Sequence, residues 1–405
     1  MSNVLVVGAG PAGSRLSENL AKNGISVTLV DRIKCSKQNA FSSAALPISV
    51  VKQLGIPPSA IAASWKGWQL VDPNGSFFEW VGKADIGVVL DFSKLRELLW
   101  ANAESAGVEL LLGWRVTSAS PIHKGALATL IGPNESTQTR NIDWIVDATG
   151  YKRTFLGQRP TPSFLGSDHF LSGIGIEYLI QGNAKSTSKW TEKITFFLGS
   201  NWVKYGYGWI FPMGHNQLKV GVCRLPPPSQ HRLPSLRSSL DKLLKINELS
   251  SLNILDRHGG VISSSLNRSE THSFGRIIGV GDAVSTANLL GGEGIRHAFQ
   301  CAEILSPLLS KACLSSDFTI DKEQRMLWRY KKLLERNFGW RWKVSSRLAR
   351  RTWWGLSDQR ADNRLNRLIY GLSKSSSADD LSALLFDYRF ERYGIRLLPY
   401  LLGLR

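Results

Sequence analysis

Two glycine-rich segments, far apart in the chain, hold the residues best suited to chemistry. In the first, an apolar run over residues 4–7 ends in the sequence GAGPAG at residues 8–13, and a second short run over 26–30 ends in Asp31. Glycines at this spacing permit a tight strand-to-helix turn that approaches a pyrophosphate closely, and an acid about 20 residues further on binds the ribose hydroxyls. The order of strand, glycines, helix, strand and acid predicts a bound dinucleotide rather than an unrelated tight turn. Asp31 disfavours a ribose 2′-phosphate.

The second segment reads GD at residues 281–282 and NLLGGEGIRHAF at residues 288–299. Residues 276–280 have the apolar character of a buried strand, and the glycines at 291–294 precede a run of helical character that extends to about residue 309. Backbone N–H groups at such a junction can face a flavin and its ribityl chain, and Asp282 can accept a hydrogen bond from a hydroxyl there. Together the two segments predict one bound FAD.

Three further strings extend the pattern: DATG at 147–150, YGWIFP at 207–212 and VGV at 220–222. With the two glycine segments, they resemble the geranylgeranyl reductase family, which belongs to the FAD enzymes with the p-hydroxybenzoate hydroxylase fold. The resemblance covers roughly residues 4–310, and YGWIFP is its most specific part. It implies a flavoprotein that saturates carbon–carbon double bonds of an isoprenoid chain, with electrons supplied by NADPH or a ferredoxin.

The resemblance also implies a set of cofactor contacts. In addition to the fingerprint glycines Gly8, Gly10 and Gly13, it places FAD contacts at six positions: Ala12, Asp31, Val116, Asp282, Gly294 and Ile295. The chain departs from the family pattern at three positions. Residues 39–43 read NAFSS where the family has Cys-Gly-Gly, no arginine stands between residues 87 and 95, and two leucines at 289–290 replace a proline. These departures bear more on the substrate than on the cofactor.

Reduction of an unactivated alkene needs a hydride from the flavin, a proton for the other carbon and a pocket dry enough for a hydrocarbon. Four aromatic residues alternate along one strand and so share a face that would line a slot for an isoprenoid chain: Tyr205, Tyr207, Trp209 and Phe211. We predict Tyr207 as a proton donor or a substrate-orienting hydroxyl, Trp209 as part of the wall and His297 as a second donor. Packing in a protein core is the alternative for each of them.

The composition indicates a folded protein with an anionic partner. The 405 residues are 43% hydrophobic, enough for a large core, and 50 Lys and Arg against 32 Asp and Glu give a net charge of +18. Such a balance favours an anionic lipid surface, an acidic protein or nucleic acid, and nucleic acid is the least consistent with an FAD fold. Four cysteines without paired spacing indicate a reducing compartment and no zinc or other metal site.

The basic excess is concentrated towards the C-terminus, where only three acids lie between residues 325 and 367. Apolar residues recur there at helical spacing with basic residues between them: Leu327, Tyr330, Leu334, Phe338 and Trp342. The region is predicted either to pack on the main body as a helical appendage or to face a bilayer. Tryptophans interleaved with arginines suit the headgroup region, and the four in question are Trp340, Trp342, Trp353 and Trp354.

We therefore predict a cytoplasmic protein that associates peripherally with a membrane or a membrane complex. The first strand begins at Val4, which leaves no room for a signal peptide, and no apolar run approaches the ~18 residues of a membrane span. The closing run over residues 397–404 is too short to span a bilayer but suits shallow insertion into a lipid face.

The predicted fold class is α/β, with a Rossmann-like FAD-binding domain, an interleaved antiparallel β substrate domain and a C-terminal helical appendage. We assign residues 1–60, 92–155 and 270–310 to a discontinuous FAD-binding domain, 61–91 and 156–269 to the substrate domain, and 311–405 to the basic, Trp-rich helical region. In the substrate domain we predict a hairpin over 65–80, strands at 174–180, 193–198, 205–211 and 217–223, and a polar linker at 181–189.

Other functions fit the same pattern less well. An aromatic hydroxylase, a flavin-dependent monooxygenase, usually has Asp-Gly where this chain has Asp147-Ala148, and a flavin-dependent halogenase needs a second tryptophan where Tyr207 stands. A lycopene-type cyclase would use reduced FAD without net redox change. Outside catalysis, the chain could serve as a flavin-binding assembly factor whose basic tail docks on a membrane complex.

Overall fold

The computed structural model describes residues 2–40, 42–157, 170–227, 229–230, 233–266, 268 and 270–393. Within them the strands are β1 Asn3–Val7, β2 Ser26–Asp31, β3 Ala45–Pro47, β4 Ile61–Trp65, β5 Gly67–Val71, β6 Phe77–Val81, β7 Gly87–Leu90, β8 Glu109–Leu112, β9 Arg115–Ile122, β10 Gly125–Ile131, β11 Thr137–Ile142, β12 Trp144–Asp147, β13 Phe170–Gln181, β14 Lys193–Leu198, β15 Gly206–Pro212, β16 Gln217–Arg224, β17 Asn253–Ser265, β18 Ser273–Phe274 and β19 Ile277–Gly279. The α-helices are α1 Pro11–Lys22, α2 Ile48–Gln53, α3 Phe92–Ser105, α4 Ala184–Thr187, α5 Leu236–Ile246, α6 Ile295–Leu314, α7 Ile320–Gly355, α8 Gln359–Ser375 and α9 Ala378–Leu385.

The N-terminal strand β1 lies inside a six-stranded sheet with the order β18-β19-β12-β1-β2-β8, and it pairs in parallel with both neighbours. Its side chains alternate between two buried faces. Val4 and Val6 pack with the core of helices α1 and α6, whereas Leu5 and Val7 pack with the three-stranded sheet β9–β11. Because protein covers both faces of β1, residues 4–7 include no polar residue. This layer confirms the predicted α/β class and its Rossmann-like sheet.

The second large sheet has seven strands in the order β17-β13-β16-β15-β14-β5-β6. Its pairs are antiparallel, apart from β14 with β5. One face packs under helix α5, where Ile210 and Val220 share a core with Leu243. The other face carries the aromatic residues of β15 and points into the molecule, towards the second glycine segment.

Three local predictions in this part of the chain need correction. Strand β15 begins one residue later than predicted, because Tyr205 has a φ of 62°, which regular strand geometry does not allow. The predicted linker 181–189 contains the short helix α4, which Asn183 caps. The edge strand β17 was not predicted, since residues 256–260 are charged, histidine or glycine and lack apolar alternation.

The C-terminal helices form part of the core. Tyr330, Leu334 and Trp342 of α7 are buried in the cluster that also contains α1 and α6, which confirms the predicted helical spacing. Beyond a kink at Gly339, whose φ is 65°, Trp353 packs into the cluster of the antiparallel sheet. The helices therefore bridge the two large sheets.

In the part of the chain that the structure describes, we find no helix both long and apolar enough to cross a bilayer. Residues 397–404, which the sequence predicts to insert shallowly into lipid, lie outside the described residues. The boundaries given above for the three domains stay a prediction.

Candidate active site

The first glycine turn connects β1 to helix α1. Gly8 has a φ of 111°, and a Cβ there would lie 2.3 Å from the carbonyl oxygen of Ala148, while a Cβ on Gly13 would lie 1.9 Å from that of Gly8. These approaches leave space for glycine alone. At Gly10, by contrast, nothing lies within 4 Å of the Cβ position, and none of the described side chains caps the helix end. The turn therefore opens towards a space where backbone N–H groups can bind an anion.

Asp31 and two residues of helix α3 hold the shape of this turn. One carboxylate oxygen of Asp31 accepts a hydrogen bond from Ala9 N at 2.7 Å and the other from Ile33 N at 3.1 Å. Trp100 Nε1 donates to the Ala9 carbonyl at 2.9 Å. The buried Arg96 guanidinium donates to the carbonyls of residues 36, 38 and 39, just after Asp31. Arg96 lies inside α3 and was not among the residues predicted to contact the cofactor.

The second glycine segment lies directly against the first. A Cβ on Gly281, which has a φ of 66°, would lie 2.7 Å from the Cβ of Ala12 in α1. Gly294 caps helix α6, whose first residue is Ile295, and a Cβ on Gly294 would lie 3.7 Å from the Asp282 carboxylate. The structure therefore brings Ala12, Asp282, Gly294 and Ile295 to one place, where two helices begin.

Val116 occupies a different environment from the other predicted cofactor residues. It lies in β9, and its side chain is buried with Val7 and Val30 between the parallel sheet and the three-stranded sheet. Any contact of Val116 with a cofactor is therefore restricted to its main chain.

Tyr207, Trp209 and Phe211 form an aromatic wall on the inner face of β15. Tyr207 packs on Trp353 of α7, with ring centroids 4.8 Å apart. A Cβ on Gly292 would lie 3.1 Å from the Tyr207 hydroxyl, so the aromatic wall adjoins the second glycine segment. Burial raises the pKa of Tyr207 well above its ordinary value, and the hydroxyl keeps its proton.

Two of the four tryptophans predicted to face a bilayer are buried instead. Trp342 is 1% exposed and Trp353 is 7% exposed, whereas Trp340 is 58% exposed and Trp354 is half-buried. The prediction was wrong for Trp342 and Trp353, because the 3.6-residue period of α7 turns them towards the core. A bilayer-facing role is left to Trp340 and its exposed neighbours.

His297 is not brought together with Tyr207 and Trp209. Its ring lies in a buried aromatic cluster, with its centroid 4.7 Å from Trp342, 5.6 Å from Phe338 and 6.1 Å from Tyr388. Burial and the neighbouring Arg296 charge lower the pKa of His297 well below its ordinary value. The described contacts of His297 thus attach helix α6 to α7, and they give it no access to the aromatic wall.

A row of polar residues beside the aromatic wall was missed by sequence reasoning. Trp209 Nε1 donates to Glu177 Oε2 at 2.7 Å, and the same oxygen accepts from Ser43 Oγ at 2.7 Å. His258 Nε2 lies 2.9 Å from the other carboxylate oxygen. Ser43 and His258 are 134 and 81 residues away from Glu177, so no local motif reveals the cluster.

Comparisons with known proteins agree with this geometry. Residues 1–56 match the model of an FAD binding domain. The chain is 27% identical to the digeranylgeranylglycerophospholipid reductase of Methanothrix thermoacetophila, over 99% of this chain and 97% of that protein. It is 26% identical to the protein of the same name from Methanosarcina acetivorans, over 79% of this chain and 78% of the other. Over most of its length the chain is thus similar to geranylgeranyl-type reductases, and its N-terminal part to FAD-binding domains.

Two solved structures, a reductase-like protein and a brominase, have the same fold as this chain. A geranylgeranyl bacteriochlorophyll reductase-like protein from Thermoplasma acidophilum superimposes over 100% of both chains, with a TM-score of 0.83 and 20% identity. A flavin-dependent brominase superimposes over 96% of this chain and 98% of its own, with a TM-score of 0.66 and 15% identity. At these identities the likenesses concern the fold alone.

The match to an FAD binding domain indicates that the chain binds FAD, and its residues fit that cofactor. The open space at Gly10, in front of the uncapped start of α1, suits the pyrophosphate. We infer that Asp31 binds the ribose hydroxyls and that Asp282 and the start of α6 at Gly294 hold the ribityl and flavin end. The contacts of Gly8 and Gly13 fix the turn that presents these groups.

Asp282 predicts a pH dependence of the flavin-free protein. The carboxylate is half-buried, accepts one described hydrogen bond, from Thr286 Oγ1 at 3.2 Å, and burial raises its pKa to about 6. Because folding raises this pKa, the protonated carboxyl costs no stability below pH ~4, whereas its ionisation in the folded protein as the pH passes about 6 costs about 3 kcal/mol. Asp282→Asn should remove that loss, so its thermal stability should exceed that of the wild type at neutral pH and not at pH ~4.

Thermal unfolding of flavin-free protein between these pH values measures the effect, with Asp241→Asn on the surface of α5 as the control. A difference in thermal stability between wild type and Asp282→Asn that does not change with pH would contradict the assignment of a half-buried, weakly paired carboxylate. The same variant should bind FAD more weakly, because an amide accepts a ribityl hydrogen bond less strongly than a carboxylate.

Proposed function

We propose that this protein reduces carbon–carbon double bonds in the isoprenoid chains of a lipid. The curated relatives are digeranylgeranylglycerophospholipid reductases by name. The observation that carries the proposal is the aromatic wall, which adjoins the second glycine segment and shares an apolar cluster with Leu289, Leu290 and Ile262. Such a surface can hold a hydrocarbon chain and exclude water from it.

Bound FAD, once reduced, supplies a hydride for one carbon of the double bond. The protein's own residues must hold the alkene, exclude water and supply a proton to the other carbon. Trp209 and Phe211 offer apolar surface for the first two tasks, and the protonated Tyr207 hydroxyl beside Gly292 is placed to orient the substrate. The electron donor, NADPH or a ferredoxin, is part of the proposal.

Incubation of dithionite-reduced protein with geranylgeranyl lipids, followed by mass spectrometry, tests the proposed function. Each saturated double bond should add two hydrogens to the lipid. A product with an added oxygen, formed with NADPH and air, would indicate a monooxygenase, and an isomer of unchanged mass would indicate a cyclase. Unchanged lipid with firmly bound FAD would favour a flavin-binding assembly factor.

We also propose that the exposed side of α7 docks on an anionic membrane. Trp328 is 64% exposed and Trp340 is 58% exposed. Exposed basic side chains accompany them at spacings of three, four or seven residues: Arg325, Arg329, Lys332, Arg336, Lys343, Arg347 and Arg350. From residue 325 to the end of the helix the sequence has a single acid, Glu335. Tryptophan rings between cationic side chains suit the headgroup region of an anionic bilayer.

Binding to vesicles tests this docking surface. Wild-type protein should sediment with vesicles rich in phosphatidylserine at low salt and be partly released at high salt, since each basic residue near the surface contributes about 1 kcal/mol. The double variant Trp328→Ala, Trp340→Ala should bind about tenfold more weakly. The matched control is Phe77→Ala with Val81→Ala, which removes exposed apolar side chains from β6 and should bind as wild type does. Equal affinity for uncharged vesicles, or a preference for DNA over vesicles, would contradict the proposal.

A further inference from the structure

The polar row beside the aromatic wall crosses four strands of the antiparallel sheet. In register, Trp209 of β15 is opposite Gly221 of β16, Gly221 is opposite Glu177 of β13, and Glu177 is opposite His258 of β17. A Cβ on Gly221 would lie 2.2 Å from the Trp209 ring, so the absence of a side chain lets the indole cross β16 to reach the carboxylate. Glu177, which is 3% exposed, therefore has a hydrogen-bond partner on each side, Trp209 from β15 and His258 from β17.

The row continues to the protein surface. His258 Nδ1 lies 3.0 Å from Asp256 Oδ2, and the exposed fractions of these side chains are 13% and 58%. On the inner side, Ser43 Oγ donates to Glu177 at 2.7 Å. An unbroken chain of hydrogen bonds therefore runs from solvent at Asp256, through His258 and Glu177, to the Ser43 hydroxyl.

The charges around the row favour an ion pair of Glu177 with protonated His258. Burial alone would raise the pKa of Glu177, but the hydrogen bond from His258 and the charge of Lys219 lower it overall. Burial likewise opposes the charge on His258, but Glu177 and Asp256 raise its pKa above the ordinary value. Lys219 Nζ donates to the carbonyl of residue 42 at 2.5 Å, which ties the segment before Ser43 to the sheet.

We propose that Ser43, Glu177 and His258 supply the proton for alkene reduction. This inference rests on the proposed function. Ser43 is the catalytic donor, and Glu177 and His258 act through it. Tyr207 is less suited to the task, because its hydroxyl contacts the half-buried Cys223 thiol, whose pKa burial raises to about 12, so that this neighbour is a poor source of protons.

One alkene carbon receives a hydride with its electron pair, and the pair released from the double bond forms the second C–H bond with the proton of Ser43 Oγ. The Ser43 oxygen takes a proton that His258 Nε2 passes through the Glu177 carboxylate. The neutral His258 keeps its proton on Nδ1, and its vacated Nε2 takes a proton from solvent water through a turn of the imidazole ring, which restores the starting state.

Single-turnover rates with a geranylgeranyl lipid test the inference. Ser43→Ala and Glu177→Gln should each lower the rate of saturation about 100-fold with KM within threefold of wild type, because they remove proton transfer and leave the apolar wall. Ser43→Cys should recover most of the rate, since a thiol can donate. The wild-type rate should fall as the pH rises above the pKa of His258, and this break should move to lower pH in Glu177→Gln. His123→Gln, at an exposed site, is the control.

A second measurement is independent of activity. In flavin-free protein labelled with ¹⁵N-histidine, the pKa of His258 should lie above 6.5 and should fall in Glu177→Gln, while the FAD affinity of Ser43→Ala should equal that of wild type. Wild-type activity in Ser43→Ala would overturn the inference, whether or not Glu177→Gln folds. Wild-type protein that saturates no prenyl lipid would overturn the proposed function, and this inference with it.

Discussion

Gly10→Ala should lose FAD without losing its fold. Gly10 has a φ of −78°, which alanine adopts freely, and no protein atom lies within 4 Å of the new Cβ. The free energy of unfolding of the flavin-free variant should therefore lie within ~0.5 kcal/mol of wild type. The methyl group would occupy the space through which the turn approaches the pyrophosphate, so we expect the Kd for FAD to rise at least ~100-fold, or about 2.7 kcal/mol.

Two further glycine variants make the comparison specific. Gly13→Ala should lose stability and FAD together, because its Cβ would lie 1.9 Å from the Gly8 carbonyl oxygen. Gly371→Ala adds a methyl group to an open position in α8 and should leave FAD binding unchanged. Fluorescence titration with FAD and urea unfolding measure both quantities. Wild-type FAD affinity in Gly10→Ala would show that the pyrophosphate does not bind at this turn.

Trp353→Ala, in the helix that packs on the aromatic wall, should cause a large loss of stability. The ring packs on Tyr207 at 4.8 Å, and its Nε1 donates to the Leu289 carbonyl at 3.0 Å. Truncation of a buried tryptophan costs about 3–5 kcal/mol, because it leaves a cavity and, here, an unpaired carbonyl. The KM for a prenyl lipid should rise as well, since Tyr207 loses the surface that fixes its ring.

Urea unfolding and steady-state kinetics check this prediction. Trp340→Ala removes an exposed indole from the same helix and should change the free energy of unfolding by less than ~0.5 kcal/mol. Trp353→Phe keeps an aromatic ring without the N–H group, and its free energy of unfolding should fall by about 1 kcal/mol more than that of Trp340→Ala. Equal stability of Trp353→Ala and Trp340→Ala would contradict the packing of α7 against the aromatic wall.

The features that the sequence predicts well are those set by neighbouring residues. The glycine turn at residues 8–13 depends on contacts within one strand-to-helix connection and was predictable from residue order alone. The hairpin β5–β6 is similar, because Asp72 accepts hydrogen bonds from Asn74 N and Ser76 N within its own turn. Local hydrogen bonds of this kind require no knowledge of the rest of the fold.

The features that the sequence does not reveal depend on packing between distant segments. Glu177 and His258 become neighbours only through the register of β13 with β17, and β17 has no apolar alternation to mark it as a strand. Helical spacing shows that Trp353 shares a side with other apolar residues, but not whether protein or lipid covers that side. In the folded chain the Trp353 ring packs on Tyr207, so protein covers that side of the helix.

Anaerobic titration of the reduced protein with a geranylgeranyl lipid tests the central claim most directly, namely that a flavin bound by the two glycine segments reduces an isoprenoid double bond at the aromatic wall. We expect the visible absorbance of oxidised flavin to return with each addition and one double bond to be saturated for each flavin oxidised. Absorbance that returns without any saturated lipid, or that does not return at all, would contradict this claim.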